Sequence, residues 1–232
     1  MSHDTPPPSE APRRLVERTR IFVASYPRLE FRREGFPGEA SIEFERGAIR
    51  DARGKFPEKP ICVPTDTGVI VEAEREIGTD RMWGCATVII RHPKGKLFAH
   101  LTPTNKLAYM DWDEKIDQSN ETTAKEMVRS LEEAGLSLRE CRGTIIGNLG
   151  TSSGKYERAR LLKIWNHLGE RLRAAGLAHW KTIEVPLDET LVFHTPDKPG
   201  KAFVMGHLAK IGEGGLFEVD HKEVDARWVE LE

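Results

Sequence analysis

One predicted β-hairpin constrains the fold of this 232-residue chain more than any other feature. Ala86 to Ile90 is apolar and rich in β-branched residues, and Leu97 to Leu101 is a second apolar run. The segment His92-Pro93-Lys94-Gly95 between them suits a type I turn with proline second and glycine fourth. With Pro93 and Lys94 as the loop, the pairing of the two strands is fixed.

This pairing sets Thr87 opposite His100 and Cys85 opposite Thr102, so Cys85 and His100 share one face of the hairpin. Diagonal neighbours on one face lie roughly 7–8 Å apart, within reach of a thiol and an imidazole. A register slip of one residue would put them on opposite faces. A neighbouring imidazole lowers a thiol pKa and later protonates the leaving group. The alternative is that Cys85 is a small buried hydrophobe at the start of an apolar strand.

The residues around this cysteine carry a family resemblance. Thr79 stands six residues before Cys85, Gly84 directly precedes it, and His100 follows on the next strand. This arrangement resembles the chemoreceptor glutamine deamidase (CheD) family and its bacterial toxin relatives, including cytotoxic necrotizing factor. The resemblance implies that Cys85 is a nucleophile that attacks a glutamine amide, that His100 is its acid and base, and that Thr79 orients His100.

Two further residues are candidates for substrate binding. Trp83 lies two residues before Cys85, where it is expected either to shield the thiol and contact the substrate or to pack as a core aromatic. Backbone amides near Gly84 and Cys85 are candidates for an oxyanion site, because glycine permits close approach.

The layout around the hairpin predicts an α/β fold. We expect a mixed, largely antiparallel β-sandwich packed by two helices, similar to the deamidase fold, with an N-terminal addition. A polar stretch from Asp111 to Thr123 is interpreted as a loop with a helix cap near Asn120, and the first helix then ends at Gly135. The second helix is predicted from about Lys155 to Ala175. The remaining strands are predicted at 69–72, 143–147, 180–185, 191–194 and 202–205, with a terminal strand or hairpin after Gly215.

Three segments are expected along the chain. Residues 1–12, which include Pro6-Pro7-Pro8, are predicted to be a disordered tail. Residues 13–60 are predicted to form an extension made of a helix from about Pro12 to Ser25 and a β-hairpin. Residues 61–232 are predicted to form the catalytic domain.

Charge and composition exclude several classes of partner. Balanced charges, 35 basic and 37 acidic residues, give no field that attracts nucleic acid or an anionic membrane. No stretch approaches the apolar length of a membrane helix, and the polar, proline-rich start is unlike a signal peptide. We therefore expect a cytoplasmic protein, or one exported without a signal peptide. The sequence sets no oligomeric state.

Cysteine and histidine spacing argues against a cofactor or metal. Cys62, Cys85 and Cys141 show no Cys-x-x-Cys spacing, which disfavours a disulfide framework and a structural zinc site. The three late histidines do not select a metal-binding trio by their separations. These histidines are His194, His207 and His221.

The predicted function is thiol-dependent amide hydrolysis, with deamidation of a glutamine in a protein substrate and no cofactor. Two alternatives stay open. One is a binding module that keeps the fold without catalysis. The other is a zinc-bound cysteine hydrolase or phosphorylase of the same superfamily.

Overall fold

The described residues fold into two β-sheets and a pair of helices stacked in three layers. The computed structural model describes residues 18–19, 61–63, 65–82, 84–102, 112–148, 154–212 and 217–232. The helices cover one face of a six-stranded sheet, and a five-stranded sheet covers its other face. The predicted α/β fold, a largely antiparallel sandwich packed by two helices, is confirmed.

The described elements are numbered here in chain order. The first six strands are β1 (Arg18–Thr19), β2 (Ile61–Cys62), β3 (Thr67–Glu72), β4 (Ile77–Met82), β5 (Ala86–His92) and β6 (Gly95–Leu101). Then come α1 (Trp112–Glu133), a 3₁₀ turn (Leu138–Glu140), β7 (Arg142–Asn148) and α2 (Gly154–Ala174). The chain continues with β8 (His179–Val185), β9 (Leu187–His194), β10 (Lys201–Ile211) and β11 (Phe217–Glu230).

The strand order puts β4, the strand just before the hairpin, in the sheet opposite to the hairpin. The six-stranded sheet has the order β1-β3-β6-β5-β7-β8, and the five-stranded sheet has the order β11-β10-β9-β4-β2. The β7–β8 and β2–β4 pairs are parallel, and the other pairs of the described strands are antiparallel. The chain therefore crosses from one sheet to the other between β4 and β5.

Two hydrophobic clusters hold the layers together. Alternate residues of β5, including Val88 and Ile90, pack against the helices, whereas Ile89 faces the five-stranded sheet. Burial on both faces explains the continuous apolar runs in the two hairpin strands, since a strand with one wet face alternates apolar and polar residues.

The predicted hairpin register is confirmed. Thr87 pairs with His100, and His92 pairs with Gly95 across the turn. The predicted strands at 69–72 and 143–147 and the predicted second helix are confirmed as β3, β7 and α2, with ends that differ by one or two residues.

Two predictions of helix position are wrong. The first helix begins at Trp112 rather than near Asn120, because Asn120 is buried and donates from Nδ2 to the Ile164 carbonyl of α2 at 3.0 Å. A tertiary hydrogen bond thus holds an asparagine inside a helix. Arg18–Thr19 was predicted to be helical and instead pairs with the edge of β3, whose backbone groups offer hydrogen bonds that outweigh local helix propensity. The tail at 1–12 and the rest of the 13–60 extension lie outside the described residues.

Neither helix of the described part is apolar enough over a sufficient length to span a membrane.

Candidate active site

His100 is held by a hydrogen bond that joins the two sheets. Its Nδ1 lies 2.8 Å from the Thr79 hydroxyl, on β4 of the opposite sheet. The Thr79 hydroxyl donates its only hydrogen to the Val63 carbonyl at 2.7 Å. The imidazole must therefore donate from Nδ1, which leaves the Nε2 lone pair as the acceptor.

The free nitrogen of His100 is buried. The side chain is 1% exposed, and Nε2 has no hydrogen-bond partner among the described residues. Burial lowers the pKa of His100 to about 4, and the Asp66 carboxylate opposes part of this shift. The imidazole is therefore neutral near pH 7. A buried acceptor without a partner is rare, and catalytic function is one of its established explanations.

Asp66 fixes the end of β6 beside His100. Its carboxylate accepts hydrogen bonds from the Thr102 amide at 2.9 Å and the Thr102 hydroxyl at 2.6 Å. Its backbone has a φ of 53°, in the left-handed region that aspartate tolerates better than most residues. Sequence reasoning missed Asp66, because a lone aspartate between two threonines gave no sign that it closes the strand end.

Cys85 lies in the bend that carries the chain from β4 to β5. Gly84 has a φ of 64°, which a residue with a side chain adopts at a cost, and this turn directs the chain from one sheet into the other. The ladder ends at the Ala86–Leu101 pair, so Cys85 stands one residue before the strand on which it was predicted. The thiol belongs to the cluster between the two sheets and is 6% exposed.

Cys85 and His100 lie on the same side of the hairpin, the side that faces the five-stranded sheet. Because Nε2 of His100 accepts no hydrogen bond from a described residue, the thiol is not bonded to it in this structure. Hydrogen bonds between catalytic groups are often long before substrate binds. The arrangement can therefore serve as a nucleophile and base that close on a substrate.

Asn148 holds the backbone around the cysteine, and sequence reasoning gave it no role at this site. Its amide N–H donates to the Cys85 carbonyl at 2.9 Å, at the end of β7. Its side-chain Nδ2 donates to the Met82 carbonyl and to the Thr190 hydroxyl, the latter at 2.9 Å. One asparagine thus ties both sides of the Gly84 bend to the sheets. The signal in the sequence was a polar residue, Asn148, at the end of an apolar strand.

A second set of buried polar residues lies on the neighbouring strands. Thr190 pairs with Met82, and Asp188 on the same strand pairs with His207 of β10. Thr190, Asp188 and His207 are buried, and Thr190 lies at the end of β4 that leads into the Gly84 bend.

His194 and His207, two of the three late histidines, do not share a site. His194 lies six residues beyond Asp188 on β9, about 20 Å away along the strand. Because His207 pairs with Asp188, His194 and His207 lie at different ends of β9. Within the described ranges, no group of three or more His, Cys, Asp or Glu residues is placed to hold a metal ion. The prediction of a cofactor-free site stays a prediction. Trp83 lies outside the described residues, and its role also remains a prediction.

The comparisons with known proteins give distant structural likeness and no sequence match. No family model matches the sequence, and no curated protein matches it. Among solved structures, the C-terminal domain of CNFy from Yersinia pseudotuberculosis is similar with a TM-score of 0.36 and 9% identity. The match covers 74% of this chain and 62% of that chain. At this level the likeness says nothing about individual residues, so the role of each site residue rests on the contacts within this chain.

Proposed function

We propose that this protein is a thiol-dependent amide hydrolase that deamidates a glutamine side chain presented by a protein. Cys85 is the nucleophile, His100 is the acid and base, and Thr79 is the positioning residue. The observation that carries the proposal is the state of His100. Its Nδ1 is fixed by Thr79, and its Nε2 is a buried base with no partner among the described residues, on the same side of the hairpin as Cys85.

The first half of the reaction forms a thioester. The Cys85 sulfur attacks the amide carbon of the substrate while its proton passes to Nε2 of His100. The imidazolium then gives this proton to the amide nitrogen as the carbon–nitrogen bond breaks, and ammonia leaves. Backbone amides at the Gly84 bend are the proposed donors to the developing oxyanion.

The second half regenerates the enzyme. A water molecule gives a proton to Nε2 and attacks the thioester carbon, and the carbon–sulfur bond breaks to yield a glutamate side chain. The sulfur recovers its proton from the imidazolium. A neutral imidazole is required at the start of each half, and the lowered pKa of His100 provides it near pH 7.

Burial sets a condition on this chemistry. Cys85 and His100 are 6% and 1% exposed, so the atoms that cover them must move before an amide carbon can reach the sulfur. This burial also favours the second candidate, a binding module in which Cys85 is a core residue.

The two functions are separated by a proteome-wide search for deamidation. Bacterial and eukaryotic lysates are incubated in heavy-oxygen water with wild type, Cys85→Ala or Cys141→Ala, and peptides are examined for glutamine converted to labelled glutamate. Cys141 is the matched control because it is a second buried cysteine, on the helix-facing side of the six-stranded sheet.

We expect labelled glutamate at one or a few sites with wild type and Cys141→Ala, and none with Cys85→Ala. Labelled sites that persist in Cys85→Ala contradict the proposed nucleophile. Folded wild-type protein that labels no site in any lysate favours the binding module.

A further inference from the structure

A pocket of about 220 Å³ lies at the opposite end of the hairpin from Cys85. Its walls come from the β5–β6 turn, the start of β7 and the end of β9, and they include His194 and Pro199. Lys96 lines it and lies four residues from His100 on β6, about 13 Å away along the strand. The pocket is therefore separate from the proposed active site.

Three cations stand side by side across neighbouring strands in the wall of this pocket. Lys96 of β6 is paired with Arg91 of β5, and Arg91 is paired with Arg142 of β7. Like charges directly opposite one another destabilise a sheet. Three adjacent cations are therefore more stable when a negative charge lies beside them.

The protein supplies this charge only in part. The Glu232 carboxylate lies 3.5 Å from Nη1 of Arg91 and 3.6 Å from Nη1 of Arg142, and its side chain is 56% exposed. Such long, exposed ion pairs are weak. Glu140, the other acid in the wall, is bonded to His92 at 2.8 Å.

Hydrogen bonding around the cations is also incomplete. The Lys96 ammonium, 1% exposed, donates to the Ala73 carbonyl at 3.1 Å and to Nδ1 of His194 at 3.0 Å, two neutral acceptors for three hydrogens. Arg91 donates from Nη1 to the Pro199 carbonyl at 2.8 Å and from Nη2 to the Leu231 carbonyl at 3.3 Å, but its Nε is buried and has no partner among the described residues. Such a donor is free to bond to a water molecule or to an acceptor group of a ligand.

We propose that this pocket binds a small oxyanion, the carboxylate or phosphate group of a small molecule, through Arg91, Lys96 and Arg142. Arginine presents paired donors that match the oxygens of both groups. An incoming oxyanion displaces the exposed Glu232 side chain and completes the hydrogen bonds of the row.

Protonation of Lys96 supports this assignment. Burial lowers the pKa of Lys96 to about 7, against an opposing influence of Glu74, and its other charged or titratable neighbours are Arg91 and His194. A bound anion favours the ammonium form. Binding therefore takes up a proton, and affinity falls as the pH rises above about 7.

The test measures binding of inorganic phosphate and of succinate, each against sodium chloride at matched ionic strength. Thermal unfolding is followed for wild type, Arg91→Gln, Lys96→Met and Lys94→Met. Lys94 is the matched control, because it is an exposed lysine of the same turn. A specific ligand raises the melting temperature with its concentration.

We expect at least one anion to stabilise wild type and Lys94→Met, with affinity weakened about 10- to 100-fold in Arg91→Gln and Lys96→Met. Stabilisation by phosphate alone assigns a phosphate group, and stabilisation by succinate alone assigns a carboxylate. No stabilisation by either anion overturns the proposal, as does stabilisation that both pocket variants retain.

If the pocket variants fail to fold, titration calorimetry of anion binding to wild type tests the proposal instead. Titration at about pH 6 and about pH 8, in buffers of different ionisation enthalpy, measures proton uptake. Uptake with tighter binding at the lower pH supports the proposal. Absence of binding, or binding without proton uptake, contradicts it.

Discussion

Thr79 and His100 are 21 residues apart and lie on different sheets, yet the threonine hydroxyl and Nδ1 of the imidazole are 2.8 Å apart. The hydroxyl hydrogen is already given to Val63, so this contact selects one tautomer of the imidazole. A single hydrogen bond therefore contributes to the packing of two sheets and sets the direction of a base.

Replacing Thr79 by valine keeps the volume and removes the hydroxyl. His100 then loses its partner at Nδ1, and a buried donor without a partner costs about 1–3 kcal/mol. We expect deamidation and Cys85 alkylation to slow by roughly 10- to 100-fold. Thr79→Ser restores the hydroxyl and should recover most of the rate. Equal rates for valine and serine would show that only the packing of the side chain matters.

The stability of the protein should fall on acidification through the range set by His100. Its pKa is about 4 in the folded protein and 6.5 when unperturbed. Between these values the unfolded chain binds a proton that the folded chain does not, so stability is fully present above about pH 6.5 and declines towards pH 4. A shift of this size corresponds to about 3 kcal/mol.

Urea unfolding of wild type and His100→Gln at about pH 7, 5 and 4 measures this effect. Between about pH 7 and about pH 4, the free energy of unfolding of the variant should fall by about 3 kcal/mol less than that of wild type. His194, whose pKa burial lowers to about 3, adds a decline that both proteins share. An identical pH dependence in the two proteins would show that His100 is not held neutral.

Asn148→Ala should slow alkylation of Cys85 more than its effect on stability explains. The substitution removes the side-chain bonds to Met82 and Thr190 but keeps the backbone bond to Cys85. Asn120→Ala is the matched control, because Asn120 is also buried and also donates from Nδ2 to a backbone carbonyl, in the helical layer. Both variants should lose about 1–3 kcal/mol of stability. Equal alkylation rates in the two variants would argue that Asn148 only stabilises the fold.

Gly169→Ala tests the packing of α2 on the six-stranded sheet. A Cβ at this glycine would lie 2.1 Å from Nε1 of Trp180, a rigid ring that also packs on Gly143. The ring cannot turn aside as a flexible side chain would, so we expect a loss of about 1–3 kcal/mol. Gly200→Ala is the control, since no atom of the described part of the chain lies within 4 Å of its added Cβ. A Gly169→Ala variant as stable as Gly200→Ala would contradict the packing described.

The sequence was most informative where local patterns decide structure. The hairpin register followed from its turn, because Pro93 and Gly95 fix the loop and the loop fixes every pair as far as His100. Relations between distant segments were out of reach. The bonds of Asn148 to Met82 and of Asn120 to Ile164 join different elements, and no local pattern announces them. The adjacent positions of Lys96, Arg91 and Arg142 could not be predicted for the same reason, because they depend on the order of the strands in the sheet.

The central claim is that Cys85 is a nucleophile served by the Nε2 lone pair of His100. The most direct measurement is the rate of iodoacetamide alkylation against pH, with the adduct located by mass spectrometry, in wild type and His100→Gln. Cys141 is an internal reference, since burial raises its pKa to about 11. The account predicts that Cys85 reacts faster than Cys141 near neutral pH, that His100→Gln slows it, and that the difference shrinks as the thiol ionises unaided. A Cys85 that reacts no faster than Cys141, or that is unaffected by His100→Gln, would contradict it.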